Sequence, residues 1–346
     1  MKHFTKYSFA LLFSFVLFIS CNDDNNEPKG EFATGVWVVN EGAYKKSDGT
    51  VSYYDPSTGE VKQDLFGLKN SGKALGDIVQ SVSVEGDLAY VIVNNDNKME
   101  VVNSNTFASE YTLNQLKLPR FFTTFSGKGY LTEWVGFGAT DIGRVSVVNL
   151  QTHTVETTIT TDYGSENIIV ANNKLFVSNN FTNTISVIDP TQNKVTLTIE
   201  VSDSPSEFVL DSDNKLWVIC GGVYKGNNAV LYKINPSTNA IEKKIELGIG
   251  ASQLTINKAK NQLYFLSGKN VFKVSTQSPI APSSAFFTVS SALYLYGVDV
   301  DPATDIIYVA DANGFQINGT IYRYDSEGKL KDNFTSGKGP NGFIFR

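Results

Sequence analysis

Only four side chains in the sequence belong to the two residue types that most often provide nucleophiles, general bases and zinc ligands. They are His3, His153, Cys21 and Cys220, in a chain of 346 residues. A structural zinc site needs about four such ligands close together, and a disulfide framework needs more than two cysteines. Cys220 also ends the apolar run 216–220, which is typical of a buried small hydrophobic residue. The sequence therefore predicts neither a metal site nor histidine-based catalysis.

Two groups of carboxylates have some of the character of calcium-binding loops. Asp211 and Asp213 form one group, and Asp299, Asp301 and Asp305 form the other. A calcium loop needs a regular series of oxygen ligands, which neither group completes. Asp and Asn beside Pro, Ser or Thr are also the ordinary residues of turns. We therefore interpret both groups as turns between strands and expect no bound metal.

The start of the chain has the pattern of an export signal. Lys2 and Lys6 precede an apolar run over residues 9–19, which is eleven residues long. A helix that spans a bilayer needs about 20 apolar residues, so this run fits the core of a signal peptide. It ends in Phe-Ile-Ser-Cys at residues 18–21, which resembles a bacterial lipobox with Phe in place of the usual Leu. The alternative is an ordinary secretory signal with a chance cysteine.

This pattern divides the N-terminal part of the chain into three segments. We predict a signal peptide over residues 1–20, a lipidated Cys21, and a flexible acidic tether that completes the segment 21–34. The polar stretch directly after the cysteine resembles the surface-export signal of Bacteroidetes lipoproteins. The expected location is the outer membrane, with exposure on the cell surface and with the lipid anchor as the one contact with the membrane.

The rest of the chain repeats one pattern. Each unit begins with an aromatic residue inside a short apolar run, followed by a polar loop and a second apolar strand. The aromatic positions are Trp37, Tyr90, Tyr130, Phe176, Trp217, Tyr264 and Tyr308, at spacings of 40 to 53 residues. Short strands and turns in units of this length are typical of four-stranded blades. Residues 35–346 are therefore predicted to form one all-β domain, a seven-bladed β-propeller, in preference to paired sandwiches or a β-helix.

The two ends of this domain complement each other. The first unit, at Trp37, has no inner strand before it, and residues 339–345 resemble an inner strand with nothing after it. We predict that the C-terminal strand pairs into the first blade and closes the ring, which leaves no free sheet edge between the ends. In this arrangement residue 35 lies on the face opposite Trp134, and the tether leaves from there.

A propeller also predicts which residues meet at its channel. The strands of each blade run from A at the channel to D at the outside, and the B–C and D–A loops share one face, here called the top face. Counting back about ten residues from each aromatic position finds polar side chains where the A strands begin. They are Gln80, Arg120, Glu166 with Asn167, Glu207, Gln253 and Tyr296, and Asn341 completes the set from the C-terminal strand. These side chains are predicted to form a collar for a ligand rich in amides or hydroxyls, or else to bond only water and neighbouring strand ends.

The predicted B–C loops carry aromatic residues that turns do not require. They are Tyr44, Trp134, Phe137, Phe181, Tyr224 and Phe315. Several aromatic side chains on one face would form an amphipathic platform for a large flat ligand or a protein. The alternative is that each ring packs on its own blade.

Charge and motif content narrow the function classes. The formal net charge is −6 and only 18% of residues are charged, so no basic face for nucleic acid is expected. No cofactor motif is present, and no cofactor is predicted. Glu207 near Arg120 or Glu166 could form an acid–base pair, but the shortage of histidine favours a protein that binds over one that catalyses.

Three segments carry a resemblance to a known family. They are Lys-Leu-Phe-Val-Ser-Asn-Asn at 174–180, Ile-Ser-Val-Ile-Asp-Pro at 185–190 and Ser-Pro-Ser-Glu at 204–207, and they resemble the YVTN/YncE-like propellers. Val-Val-Asn-Glu-Gly at 38–42, after a lipidated cysteine, resembles the surface-lipoprotein branch of that group in gut Bacteroidetes.

That branch includes lipoproteins that capture cobalamin at the cell surface and pass it to a TonB-dependent outer-membrane transporter. The resemblance implies the fold and the location, and less specifically the ligand. The expected function is therefore non-enzymatic capture of cobalamin or a related corrinoid. A propeller that binds a glycan or another surface protein remains the alternative.

Overall fold

The computed structural model describes Met1 and residues 30–138, 140–221 and 229–346. The predicted signal peptide, the lipidation site Cys21 and the loop residue Tyr224 lie outside these residues. Within the described part of the chain, no helix is long and apolar enough to cross a membrane.

The described chain forms seven four-stranded antiparallel sheets. Blades 1 to 3 contain, in chain order, β1 (Val36–Asn40), β2 (Thr50–Tyr54), β3 (Val61–Lys62), β4 (Val79–Glu85), β5 (Leu88–Val93), β6 (Lys98–Asn103), β7 (Ser109–Leu113), β8 (Pro119–Phe125), β9 (Lys128–Glu133), β10 (Arg144–Asn149) and β11 (Thr154–Thr160). Blades 4 and 5 contain β12 (Ser165–Ala171), β13 (Lys174–Asn179), β14 (Thr184–Asp189), β15 (Lys194–Glu200), β16 (Pro205–Leu210), β17 (Leu216–Cys220), β18 (Val230–Asn235) and β19 (Ala240–Glu246). Blades 6 and 7 contain β20 (Ser252–Ile256), β21 (Gln262–Ser267), β22 (Asn270–Ser275), β23 (Phe287–Thr288), β24 (Leu295–Val300), β25 (Ile307–Asp311), β26 (Asn318–Tyr324) and β27 (Leu330–Lys338). The last strand, β28 (Pro340–Phe345), is the innermost strand of blade 1.

The ring closes as predicted. Strand β28 pairs antiparallel with β1, with Val36 opposite Phe345 and Val38 opposite Phe343. The innermost strands of successive blades contact one another all the way around, including β24 with β28 and β28 with β4. The predicted seven-bladed β-propeller is therefore confirmed, with the first blade built from both ends of the domain.

The seven aromatic positions lie in the B strands, and each is at most 3% exposed. Among the described residues, seven apolar clusters fill the seams between neighbouring blades. Trp217, for example, packs with Phe265 of the next blade. Because both faces of an inner sheet are covered, consecutive central residues of the B strands are buried, and their apolar residues form short continuous runs that do not alternate with polar ones. This continuous apolar run is the signal that the sequence repeats.

Within the described residues, two short helical segments interrupt the strand pattern. Helix α1 (Leu65–Lys69) follows β3, which is only two residues long, and buries Leu65 and Phe66. The Asp64 carboxylate accepts a hydrogen bond from the Gly67 N–H, as a helix N-cap does. A 3-10 turn covers Asn313–Phe315 in blade 7. Neither segment is long enough to show a helical period in the sequence.

The packed domain begins earlier than predicted, at residue 30. Phe32 is fully buried, contacts the ring of Tyr53, and donates its backbone N–H to Asn105. Glu31 forms ion pairs with Lys62 and Lys69. The prediction of a flexible tether is therefore wrong for residues 30–34. One buried phenylalanine among small polar residues makes no periodic pattern, so the sequence alone did not reveal this anchor.

Residues 30–35 lie at the bottom of the ring. Val36 at the start of β1 pairs with Tyr54 at the end of β2, whereas Trp134 follows the upper end of β9. The predicted placement of residue 35 and Trp134 on opposite faces is confirmed.

Candidate functional site

The polar collar is built by β-bulges. The A strand of every blade has a register shift near its top end, where one or two residues are left out of the pairing with the B strand. A bulge bends the strand and redirects a side chain. The redirected side chains that line the channel are Gln80, Arg120, Glu166, Glu207, Gln253, Tyr296 and Asn341. One residue of each of the seven blades therefore meets at a cavity of about 400 Å³.

Asn167 is the one predicted collar residue that does not line this cavity. Its backbone N–H is bonded instead to the Ser178 hydroxyl, at 3.0 Å. The bulge includes both Glu166 and Asn167, but only Glu166 lines the channel. Asn167 is therefore not brought to the channel cavity, and its role as a ligand-facing residue stays a prediction.

Arg120 is the centre of the collar's hydrogen bonding. Its guanidinium forms a fork with Glu166, with Nε to Oε2 at 2.9 Å and Nη2 to Oε1 at 2.7 Å. The remaining Nη1 donates to Oε1 of Gln80. The Trp134 ring lies 3.8 Å from the guanidinium carbon. Because its charge is already paired with Glu166 and its face is stacked on an indole, Arg120 is a positioning group and not a free cation for an anionic ligand.

The same network continues into blades 1 and 7. The Asn341 side-chain amide donates to the backbone carbonyl oxygen of Gln80 at 2.9 Å and to Glu41 Oε1 at 3.0 Å. The Tyr296 hydroxyl donates to the same oxygen of Glu41 at 3.1 Å. The residues Tyr296, Glu41, Asn341, Gln80, Arg120 and Glu166 are called the bonded arc below. It crosses five consecutive blades, from blade 7 through blade 1 to blade 4.

Glu41 was not among the predicted site residues. It lies in the loop after β1 and is 7% exposed. Burial raises the pKa of its carboxyl, although the Arg120 charge and two hydrogen bonds oppose this shift. Spacing from the buried aromatics identifies only A-strand residues, so it does not find a loop residue that enters the channel.

Blades 5 and 6 complete the ring with Glu207 and Gln253, called the open arc below. The Glu207 carboxylate accepts the Ser206 hydroxyl at 2.6 Å, and burial raises the pKa of Glu207. The Gln253 side-chain amide has no hydrogen bond to any described residue, and its φ is +63°. Arg120 pairs with Glu166 and not with Glu207, whereas the charge of Glu166 also raises the pKa of Glu207. The possible acid–base pair of Glu207 with Arg120 or Glu166 is therefore not formed with Arg120. The arginine is held by Glu166.

Asp299 adds a carboxyl group deeper in the channel. It lies inside β24 and lines the cavity, so the interpretation of all three aspartates at 299–305 as turn residues is wrong for this one. Burial raises its pKa to about 6, although a hydrogen bond from Thr255 opposes the shift. Asp301 has the expected turn role and accepts the backbone N–H of Ala303.

Three predicted loop aromatics form one cluster on the top face. Trp134, Phe137 and Phe181 have ring centroids 4.8 to 6.0 Å apart and are called the tryptophan cluster. They come from the loops of blades 3 and 4, so they do not each pack on their own blade. Phe137 is 73% exposed, and a cavity of about 510 Å³ opens beside it against Tyr163 and Asp141.

A second aromatic group lies on the other side of the channel. Phe315 contacts Tyr296 at 4.9 Å and Tyr294 at 6.0 Å between ring centroids, and these three residues are called the tyrosine cluster. They belong to blade 7 and the loop before it, half a ring away from blades 3 and 4. The two clusters therefore flank the polar collar from opposite sides.

The bottom face differs in its chemistry. His153 lies in the turn after β10 on that face, with its ring 3.7 Å from that of Tyr111.

The thiol of Cys220 is buried in the seam between blades, and burial raises its pKa. Among the described residues, no three His, Cys, Asp or Glu side chains are placed to hold a metal ion.

These features define a seven-bladed β-propeller whose channel mouth is polar, internally bonded and flanked by two aromatic clusters. A family model described as a domain of unknown function, DUF5074, matches residues 34–345. The chain belongs to this family. No curated protein matches the sequence.

Solved structures of other propellers resemble this chain at low sequence identity. A quinonprotein alcohol dehydrogenase-like protein of Bacteroides thetaiotaomicron has 15% identity and a TM-score of 0.69, over 92% of this chain and 79% of that one. A candidate 6-phosphogluconolactonase of Bacteroides fragilis has 14% identity and a TM-score of 0.66, over 90% and 98%. The hydrazine synthase of Kuenenia stuttgartiensis has 14% identity and a TM-score of 0.60, over 78% and 92%. Likeness at this identity shows the fold alone.

Proposed function

We propose that this protein is a non-enzymatic lipoprotein of the outer-membrane surface that binds a ligand on the top face of its propeller. The best candidate ligand is cobalamin or a related corrinoid, which would be handed to a TonB-dependent transporter. The observation that carries this proposal is the position of the tryptophan cluster beside the polar collar, across the channel from the tyrosine cluster.

A broad ligand with an apolar body and a polar rim suits this surface. Phe137 and Phe181 offer exposed ring area on one side, at 73% and 40% exposure. Large rigid rings give contact area at little entropic cost. The collar between the clusters offers amide, hydroxyl and carboxyl groups that fix orientation. The corrinoid itself is suggested by the sequence resemblance, and the site geometry is compatible with it.

The placement of the N-terminal segment supports presentation away from a membrane. Phe32 fixes the chain on the bottom face, opposite the aromatic clusters. Only eight residues, 22–29, would separate a lipid on Cys21 from the packed domain. Fully extended, they would span roughly 28 Å at about 3.5 Å each. A tether of that length keeps the bottom face near the membrane and leaves the top face open to a neighbouring transporter.

The hydrogen bonds that the collar side chains already form favour a binding function over catalysis. Glu166 and Arg120 are committed to each other, and Glu41 accepts two hydrogen bonds. Within the part of the chain that the structure describes, the one histidine, His153, lies on the bottom face. A general acid or base needs a free group within reach of a substrate proton, and on this proposal the collar orients a ligand and does not react with it.

Co-elution with cyanocobalamin tests the proposal directly. The mature protein at micromolar concentration is mixed with cyanocobalamin and passed over a size-exclusion column, and we expect corrinoid absorbance in the protein peak. Phe137→Ala should weaken binding about tenfold. Tyr44→Ala removes an equally exposed top-face ring outside both clusters, 64% exposed, and should have no effect. Absence of corrinoid from the wild-type protein peak overturns the proposal.

A second candidate, a propeller that binds a glycan or a surface protein, is favoured by apolar side chains outside the collar. Leu293 and Ile317, on the top-face loops beside the tyrosine cluster, are 66% and 63% exposed. If cyanocobalamin fails to bind, pull-down of surface components with wild-type protein and with Leu293→Ser tests this candidate. Capture that is lost in the variant would support it.

A further inference from the structure

Gln80 holds an unused hydrogen-bond donor inside the channel mouth. Its side chain is only 9% exposed, and it lines the channel cavity. A guanidinium can only donate, so the Gln80 atom that faces Arg120 must be the carbonyl oxygen. The amide nitrogen therefore points away from Arg120, and it donates to no described residue. The buried polar atoms without a partner in the described residues do not include this nitrogen, so it faces the open part of the channel, where a ligand or water completes it.

The open arc supplies the complementary groups. The Gln253 amide is unbonded to the described residues and offers both a donor and an acceptor. The Glu207 carboxylate accepts the Ser206 hydroxyl and backbone N–H groups that include that of Leu254, and the about four acceptor sites of a carboxylate leave room for one further donor. Gln253 is held at φ +63°, a conformation that a non-glycine residue adopts only when its surroundings impose it. The bulge between Ser252 and Thr255 imposes it here and redirects the side chain.

The charge of the cavity selects against anions. Its lining contains the carboxyl groups of Glu41, Glu166, Glu207 and Asp299, and one cation, Arg120, which is already paired. A carboxylate or phosphate would meet like charges at short range in a poorly solvated space. A cation would leave the Gln80 donor without an acceptor.

We propose that the open arc and the free amide nitrogen of Gln80 bind a neutral primary carboxamide of the ligand. The carboxamide oxygen accepts from Gln80, and its NH2 group donates to Glu207 or to the Gln253 oxygen. This inference rests on the proposed function, because it takes the channel mouth as the ligand site and adds the chemical group that enters it.

The test compares cyanocobalamin with its monocarboxylic acid derivatives, in each of which one side-chain amide is hydrolysed. Isothermal titration calorimetry of the wild-type protein should show at least tenfold weaker binding for one derivative, because the acid loses a donor and brings a charge toward Glu207. Gln253→Leu should weaken cyanocobalamin binding about tenfold and reduce the discrimination between amide and acid. Gln192→Leu, an exposed glutamine in a bottom-face turn, is the matched control and should bind as the wild type does.

The outcomes separate the two proposals. Equal affinity of the wild type for cyanocobalamin and every acid derivative overturns the carboxamide site and leaves corrinoid capture standing. No binding of any corrinoid overturns the function and the carboxamide site together. The derivative series uses only wild-type protein, so a Gln253→Leu variant that fails to fold does not prevent the decision.

Discussion

The two arcs of the channel mouth have the same origin and opposite character. Both arise from bulges at the top of A strands, and both carry polar side chains into one cavity. In the bonded arc, Arg120 and Glu166 join blades 3 and 4, and further hydrogen bonds reach blade 7. In the open arc, Gln253 has no described partner. The bulge position of a residue therefore determines that its side chain enters the channel. The neighbouring side chains determine whether it forms hydrogen bonds within the protein or remains available to a ligand.

The largest expected effect comes from breaking the bonded arc at its centre. Arg120→Ala leaves Glu166 buried without its partner, which should lower the free energy of unfolding by about 3–5 kcal/mol. Chemical denaturation at neutral pH measures this change. Lys128→Ala removes an exposed ion pair with Glu156 and is the matched control, for which no measurable change is expected.

A double variant sharpens this result. Arg120→Leu with Glu166→Leu removes both charges together, so it should recover most of the stability that Arg120→Ala loses. If Arg120→Ala proves as mild as Lys128→Ala, the bonded arc is not a structural unit and the comparison between the arcs fails.

The positions of the collar residues could be predicted from the sequence, whereas their hydrogen-bond partners could not. The collar's positions were predictable because a polar residue recurs 10 to 12 residues before six of the seven buried aromatics, as Gln80 does before Tyr90, and the C-terminal strand supplies the seventh, Asn341. Its partners were not predictable, because the fork between Arg120 and Glu166 depends on the angle between neighbouring blades. Glu41 was missed because it enters from a loop. Asp299 was missed because its residue type suggested a turn.

The next largest expected change in the free energy of unfolding comes from substitution of Asp299. Its raised pKa means that the folded chain keeps a proton that the unfolded chain releases between pH 3.8 and about 6. Stability from this group is therefore present at low pH and is lost as the pH rises through that window. Asp299→Asn should raise the free energy of unfolding at pH 7 by about 1–3 kcal/mol and flatten its fall between pH 4 and 6.

The control residue is Asp189, whose pKa is shifted in the opposite direction to that of Asp299. Hydrogen bonds from Thr191 hold the pKa of the exposed Asp189 below its usual range, so its contribution is lost as the pH falls. Asp189→Asn should leave the slope between pH 5 and 7 unchanged. An Asp299→Asn variant with the wild-type pH profile would show that the channel carboxyl is solvated like a surface group.

The smallest effects come from a matched pair of glutamines, one in each arc. Gln80→Leu leaves Arg120 with an unpaired N–H and should lower the free energy of unfolding by about 1–3 kcal/mol. Gln253→Leu removes a side-chain amide that bonds no described residue, so the change should stay within about 0.5 kcal/mol. Both substitutions remove the same amide group from equivalent bulge positions in two blades. The comparison of the two variants therefore reports the hydrogen bonds of each side chain and not its place in the fold. Chemical denaturation of the two variants side by side measures the difference, and equal losses would mean that Gln253 is a structural residue and that the two arcs do not differ in kind.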